Sequence, residues 1–212
     1  MGLTRRATGR SAAGEALIRP NEGERLIALA GNPNVGKSTV FNCLTGLKQH
    51  TGNWTGKTVA NAFGRSNRGG RAYVIADLPG TYSLAAHSEE ERVARDFICF
   101  GSADATVIVC DATCLERGLN LVVQTLEITR SAAVCLNLSD VSNKMGLNID
   151  CTELSRQLGV PVVEVSARNG DGVEKVIDCL EFDERKPPLR VEYARPLSDA
   201  IDVLAPALEG LK

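Results

Sequence analysis

Eight residues, Gly31-Asn32-Pro33-Asn34-Val35-Gly36-Lys37-Ser38, constrain this chain more than any other stretch. They fit GxxxxGKS in full, the pattern of a backbone loop that wraps phosphate. The apolar run Leu26 to Ala30 before it reads as a buried strand, and Thr39 to Leu44 after it as the first turns of a helix. That strand-loop-helix setting is what the pattern requires. Glycines let backbone N–H groups approach phosphate oxygens, and the helix start adds partial positive charge there. Lys37 is expected to reach the outer phosphates, Ser38 to ligate Mg2+, and Thr39 to belong to the same nucleotide-binding set. The alternative is a glycine-rich turn matching by chance, which the flanking strand and helix argue against.

The 212 residues are 43% hydrophobic and 24% charged, a globular composition with room for one sizeable core. A net charge of -2 gives nucleic-acid binding no support. Residues 1–24 are polar, carry Arg5, Arg6 and Arg10, and read as an unstructured basic arm without the apolar core of a signal peptide. No apolar run is long enough to span a bilayer. Seven scattered cysteines suggest reduced core thiols rather than a disulfide framework.

Further along, residues 47–57 are rich in glycine and polar side chains around Trp54, an irregular connection of the length that is usually functional or mobile. Two strands, 59–65 and 72–77, flank a hairpin turn at 66–70. Helices are expected at 38–46, 88–100, 116–129, 151–158 and 173–180, and buried strands at 105–111, 132–137 and 160–165. Alternating strands and helices with one hairpin predict a mainly parallel six-stranded α/β sheet with helices on both faces. Residues 25–183 form this domain. After the break at Lys186-Pro187-Pro188, residues 184–212 hold an amphipathic helix at 196–208, either the start of a further domain or a terminal helix docked on this one.

Three other segments carry chemistry. Asp77-Leu78-Pro79-Gly80 is DxxG at a strand end: the Asp77 carboxylate would stand near the metal, and the Gly80 N–H near the terminal phosphate. Asn137-Leu138-Ser139-Asp140 also follows a strand, and its Asp140 carboxylate can accept from N1–H and the exocyclic amine of guanine. Adenine would leave that charge unmet, at a cost of about 1–3 kcal/mol. Ser166-Ala167-Arg168 ends the last strand and would back the base with main-chain N–H groups.

In this order the elements resemble the GTPase superfamily, with Leu138 in place of the usual NKxD lysine. The resemblance implies that Thr58 is the switch I threonine, a Mg2+ ligand when the γ-phosphate is present. The phosphate loop, Gly52-Asn53-Trp54, Asp77 to Leu84, Glu91 to Asp96 and Asp111 to Leu119 narrow it further. Together they resemble the N-terminal G domain of the bacterial ferrous-iron transporter B family, over about residues 26–180. Leu138 fits that family, which carries an apolar residue there; Thr55 departs from its usual proline. The resemblance implies GTP hydrolysis to GDP at the cytoplasmic face of the bacterial inner membrane. It also implies a membrane transporter portion, in the same longer chain or a separate subunit through which oligomers form, and small accessory transport proteins. Residues 184–212 would begin the family's small helical domain.

Thr81 follows Gly80, so no glutamine is in place to orient water. The family implies a potassium ion held by Asn34 and by backbone carbonyls of Asn53 and Trp54, doing what an arginine finger does. Asn34, Lys37, Thr58 and Gly80 are thus the residues expected to carry catalysis. Two readings compete: a stand-alone ribosome-assembly GTPase of the Era or Obg kind, which would need a basic RNA-binding appendage, and a partitioning-type ATPase, which Asp140 and the 166–168 loop argue against.

Overall fold

The apolar runs around the phosphate loop form the middle of one mixed sheet. A computed structural model describes residues 20–21, 23–46, 49–53, 60–101, 103–129, 131–180, 189 and 191–208. Strand β1 is Arg25–Gly31, followed by helix α1, Lys37–Thr45, then β2, Gln49–Asn53, β3, Ala60–Arg68, and β4, Arg71–Asp77. Next come α2, Glu89–Phe100, β5, Ala105–Asp111, α3, Leu115–Leu126, and β6, Ala132–Asn137. Helices α4, Ser139–Lys144, and α5, Cys151–Leu158, precede β7, Val162–Glu164; α6, Val173–Asp178, and α7, Arg195–Leu208, complete the order. Among the described residues the sheet has seven strands, in the order β2-β3-β4-β1-β5-β6-β7. β1 pairs parallel with β4 and β5, and β5, β6 and β7 continue in parallel; the β2-β3 and β3-β4 pairs are antiparallel.

The α/β class and mainly parallel sheet stand as read, with one strand more than the six expected. The addition is β2, inside the connection that read as irregular. Its sequence, Gln-His-Thr-Gly-Asn, has no apolar alternation, and the backbone ladder alone reveals it. The hairpin turn is also tighter than expected. Gly69 and Gly70, with φ of 56° and 74°, make a two-residue turn, and β3 runs on to Arg68.

Alternation along β1 builds both layers. Ile27 and Leu29 pack with Val40 and Phe41 of α1 and with Val176 and Ile177 of α6. Leu26, Ala28 and Ala30 point the other way, onto Ala94, Phe97 and Ile98 of α2. On that second face Ile108 and Cys110 of β5 meet Leu121, Val122 and Leu126 of α3. Burial on both faces is why these strands read as continuous apolar runs. The strand ends Gly31, Asp77, Asp111 and Asn137 therefore reach one edge of the sheet together. At the far end the Leu189 N–H donates to the Leu126 carbonyl at 2.7 Å, and Tyr193 donates to Glu127 at 2.5 Å. α7 follows with Leu197, Ile201 and Leu204 all 43–58% exposed, so the expected amphipathic helix forms without burying its apolar face among the described residues. No helix of the described residues is long and apolar enough to cross a membrane.

Candidate functional site

The phosphate loop leaves β1 at a point where only glycine fits. A Cβ on Gly31 would stand 2.5 Å from the Val109 carbonyl oxygen. The loop then turns through Asn34, with φ of 64°, and Gly36, with φ of 80°. A Cβ on Gly36 would fall 2.3 Å from Nδ2 of Asn137. α1 begins at once, with no side chain capping it and no acid in its first turn. Its positive end thus faces a cleft of about 490 Å³ lined by Asn32, Pro33, Asn34, Gly36, Lys37, Ser38, Thr39, Gly80 and Glu90. The sequence pattern led to every one of these except Glu90, which read only as a helix-start acid of α2.

Asp77 ends β4 beside the cleft. The Lys37 ammonium pairs with its Oδ1, and the Ser38 hydroxyl donates to its Oδ2 at 3.2 Å. Both side chains of the ion pair are about nine-tenths buried. Leu78 and Thr81 donate backbone bonds to Leu29 and Gly31, which pins the DxxG segment to β1. A Cβ on Gly80 would meet Pro33 at 3.0 Å, so the segment lies close against the phosphate loop. Thr81 is fully buried, and its hydroxyl donates to the Ser83 carbonyl at 2.6 Å rather than facing the cleft.

The two base-side loops converge on Asn137. Its side chain, 1% exposed, donates from Nδ2 to the Val35 carbonyl at 2.9 Å and accepts at Oδ1 from the Ala167 N–H at 3.0 Å. One amide thus joins the phosphate loop to the 166–168 loop. Leu138 takes a left-handed turn, φ 64°, which sets the start of α4. That brings Asp140 to Ser166, whose buried hydroxyl donates to its Oδ1 at 2.9 Å. From the opposite side the Cys43 thiol donates to the Ala167 carbonyl at 3.2 Å. Arg168 is exposed. Thr58 and Trp54 lie outside the described residues, and Asn53 is described by its backbone alone, as the end of β2.

The cysteines depart in part from the expected core thiols. None of the seven forms a disulfide among the described residues, yet Cys43 and Cys114 are exposed. Cys110 and Cys135 are buried, and burial pushes the Cys110 thiol up to about 12 and Cys135 higher still.

A phosphate loop, a DxxG strand end and two base-side loops, gathered on one edge of a mainly parallel sheet, define the fold of a phosphate-loop GTPase. Known proteins with this arrangement are close in sequence. The family described as "Ferrous iron transport protein B" matches residues 25–180. The Fe(2+) transporter FeoB of Escherichia coli (strain K12) is 40% identical over 186 residues, covering 84% of this chain and 24% of the relative. That of Salmonella typhimurium is 40% identical over 187 residues, with 86% and 24% covered. Among solved structures, the cytosolic domain of T. maritima FeoB in a GDP form superimposes with a TM-score of 0.83 at 35% identity, covering 89% of this chain and 76% of that one. The FeoB G-domain from Methanococcus jannaschii does so with a TM-score of 0.64 at 41% identity, covering 73% and 94%. The chain belongs to the ferrous iron transport protein B family. It spans about a quarter of the length of the curated relatives it matches.

Proposed function

We propose that this chain binds and hydrolyses GTP as the G domain of a ferrous-iron uptake transporter at the cytoplasmic face of the bacterial inner membrane. Its nucleotide state would be passed through residues 47–60 and 80–90 to a membrane portion, with small accessory transport proteins as further partners. The observation that carries the reading is the Asn137 bridge. It fixes the phosphate loop and the 166–168 loop as one unit, with Lys37 at one end and Asp140 at the other. In this reading residues 25–183 are the G domain and 184–212 lead into a helical domain. Family membership favours it over the ribosome-assembly alternative.

The residues present fit a small hard cation, because the Ser38 hydroxyl and the Asp77 carboxylate already lie together at the cleft. Mg2+ held there, with Thr58 as a further ligand, would supply charge neutralisation to the phosphates. The loop N–H groups and α1 start bind and orient the phosphate chain, and Lys37 exchanges Asp77 for a phosphate oxygen. The Gly80 N–H holds the terminal phosphoryl group. Asp140 accepts from guanine N1–H and the amine while Ser166 steadies its other side, and the Ala167 N–H loop backs the ring. Among the described residues lining the cleft there is no arginine, and a bound cation would supply the positive charge that an arginine finger brings. Asn34 lines the cleft with an amide oxygen suited to potassium, and Asn53 and Trp54 would add carbonyls.

The test is magnesium-dependent GTP hydrolysis in matched sodium and potassium salts. Potassium is expected to raise the rate by about tenfold or more, with an arginine finger's roughly 10³–10⁵ as the upper scale. Asn34→Ala should remove the increase. Equal wild-type rates in both salts would overturn the potassium assignment.

A further inference from the structure

A smaller cavity of about 190 Å³ adjoins the phosphate loop. Residues 32–35 form one wall, and Tyr82, Asp111, Cys114, Arg117 and Gly118 the others; none of those five lines the cleft. Asn32, 4% exposed, is fixed by its Nδ2, which donates to the Arg117 carbonyl at 2.9 Å. Its Oδ1 is buried and has no hydrogen-bond partner among the described residues. An unmatched buried acceptor is unfavourable and calls for a donor or a cation. Asp111 brings a negative charge, held in place because its Oδ1 accepts from the Thr113 N–H and hydroxyl, both at 2.7 Å. Tyr82, half exposed, adds an aromatic ring that attracts positive charge. Among the described residues of the wall the one like charge is Arg117, exposed to solvent where screening is strong.

We infer that this cavity is a second ligand site, on the opposite side of the phosphate loop wall (Asn32, Pro33, Asn34) that it shares with the nucleotide cleft, for a compact monovalent cation of the ammonium class. Asn32 Oδ1 accepts from its N–H or, for a bare ion, coordinates it; Asp111 balances its charge, and Tyr82 covers it. Because the wall combines the phosphate loop with the segment after Gly80, occupancy ties those two parts together. The shared chemistry has two sources: an inorganic cation such as potassium or ammonium, or an alkylammonium such as a lysine side chain. The site does not rest on the GTPase reading.

The test is a titration in sodium buffer with methylammonium chloride, followed by amide NMR on the full chain whose GDP occupancy is measured first. Saturable shifts are expected at the Asn32 side-chain amide and at the backbone of Thr113 and Gly118. Asp111→Asn keeps an oxygen for the Thr113 bonds and removes the charge, so binding should weaken about fivefold or more. Tyr82→Leu should weaken it about twofold. Tetramethylammonium, with the same charge and no N–H donor, should give no saturable shift. Competition by potassium assigns the inorganic source, and its absence the alkylammonium. Non-saturating shifts, an unchanged affinity in Asp111→Asn, or equal binding of tetramethylammonium would overturn the site. GDP occupancy is read separately, so such a failure leaves the nucleotide reading standing.

Discussion

Asn137 shows how much one buried side chain can set. Replacing it with alanine removes both of its bonds and leaves the Val35 carbonyl and Ala167 N–H unmatched in the interior. A loss of about 1–3 kcal/mol per buried group is the expected scale. Thermal melting without nucleotide should show it as a fall of several degrees, and an unchanged midpoint would mean the bridge is not structural. Asp140 makes a sharper chemical prediction. Asp140→Asn replaces an acceptor by a donor, which suits the carbonyl that xanthine carries where guanine has an amine. Competition assays should show preference moving from GDP toward XDP by about tenfold or more, the scale of one hydrogen-bonded group. The thiols report burial directly. Cys110 ionises only toward about 12 in the fold, against about 9 when exposed. Its raised value means the neutral form adds stability that is fully present below about pH 9 and is lost as pH climbs toward 12. Alkylation at pH 8, read by mass spectrometry, should mark Cys43 while Cys110 and Cys135 react only after denaturation.

At the scale of elements, Gly118 tests the packing of α3 on β5. Alanine inside a helix is normally favoured over glycine by about 1 kcal/mol. Here a Cβ would stand 2.7 Å from the Cys110 Sγ, between two buried layers. Gly118→Ala should therefore destabilise, by about 1–3 kcal/mol, as a shift in urea midpoint; stabilisation would mean that α3 moves away freely. Other elements show what sequence can reveal. β5, β6 and α5 begin and end where their apolar runs and caps place them, because buried strands and Gly159 leave local signatures. β2 and α4 have none: one is a polar edge strand held by backbone bonds, the other six residues of Ser-Asp-Val-Ser-Asn-Lys. The site divides in the same way. That Lys37, Ser38 and Asp77 meet, and that Asp140 follows a strand end on the same edge, was legible because the motifs that carry them fix residue type at set places beside a strand. Glu90, Asn32 bonded to α3, Cys43 bonded to Ala167, and the Asn137 bridge depend on elements that meet only after folding, so nothing local marks them.

Across the described part of the molecule, one sheet edge carries the phosphate loop, Asp77, Asp140 and the 166–168 loop, while Leu189 and Tyr193 bond to the far end of α3. A ligand gripping that edge would stabilise the entire domain through linkage. At one hundred times its dissociation constant the gain is about 2.7 kcal/mol, worth roughly 5–10 °C for a domain of this size. GDP with Mg2+ should raise the melting temperature by that much, and ADP should not. If this edge holds a guanine nucleotide, calorimetric titration of the purified chain with GDP and Mg2+ should give saturable one-to-one heat that ADP does not reproduce. No heat for GDP up to millimolar concentration, or equal heat for ADP, would contradict it.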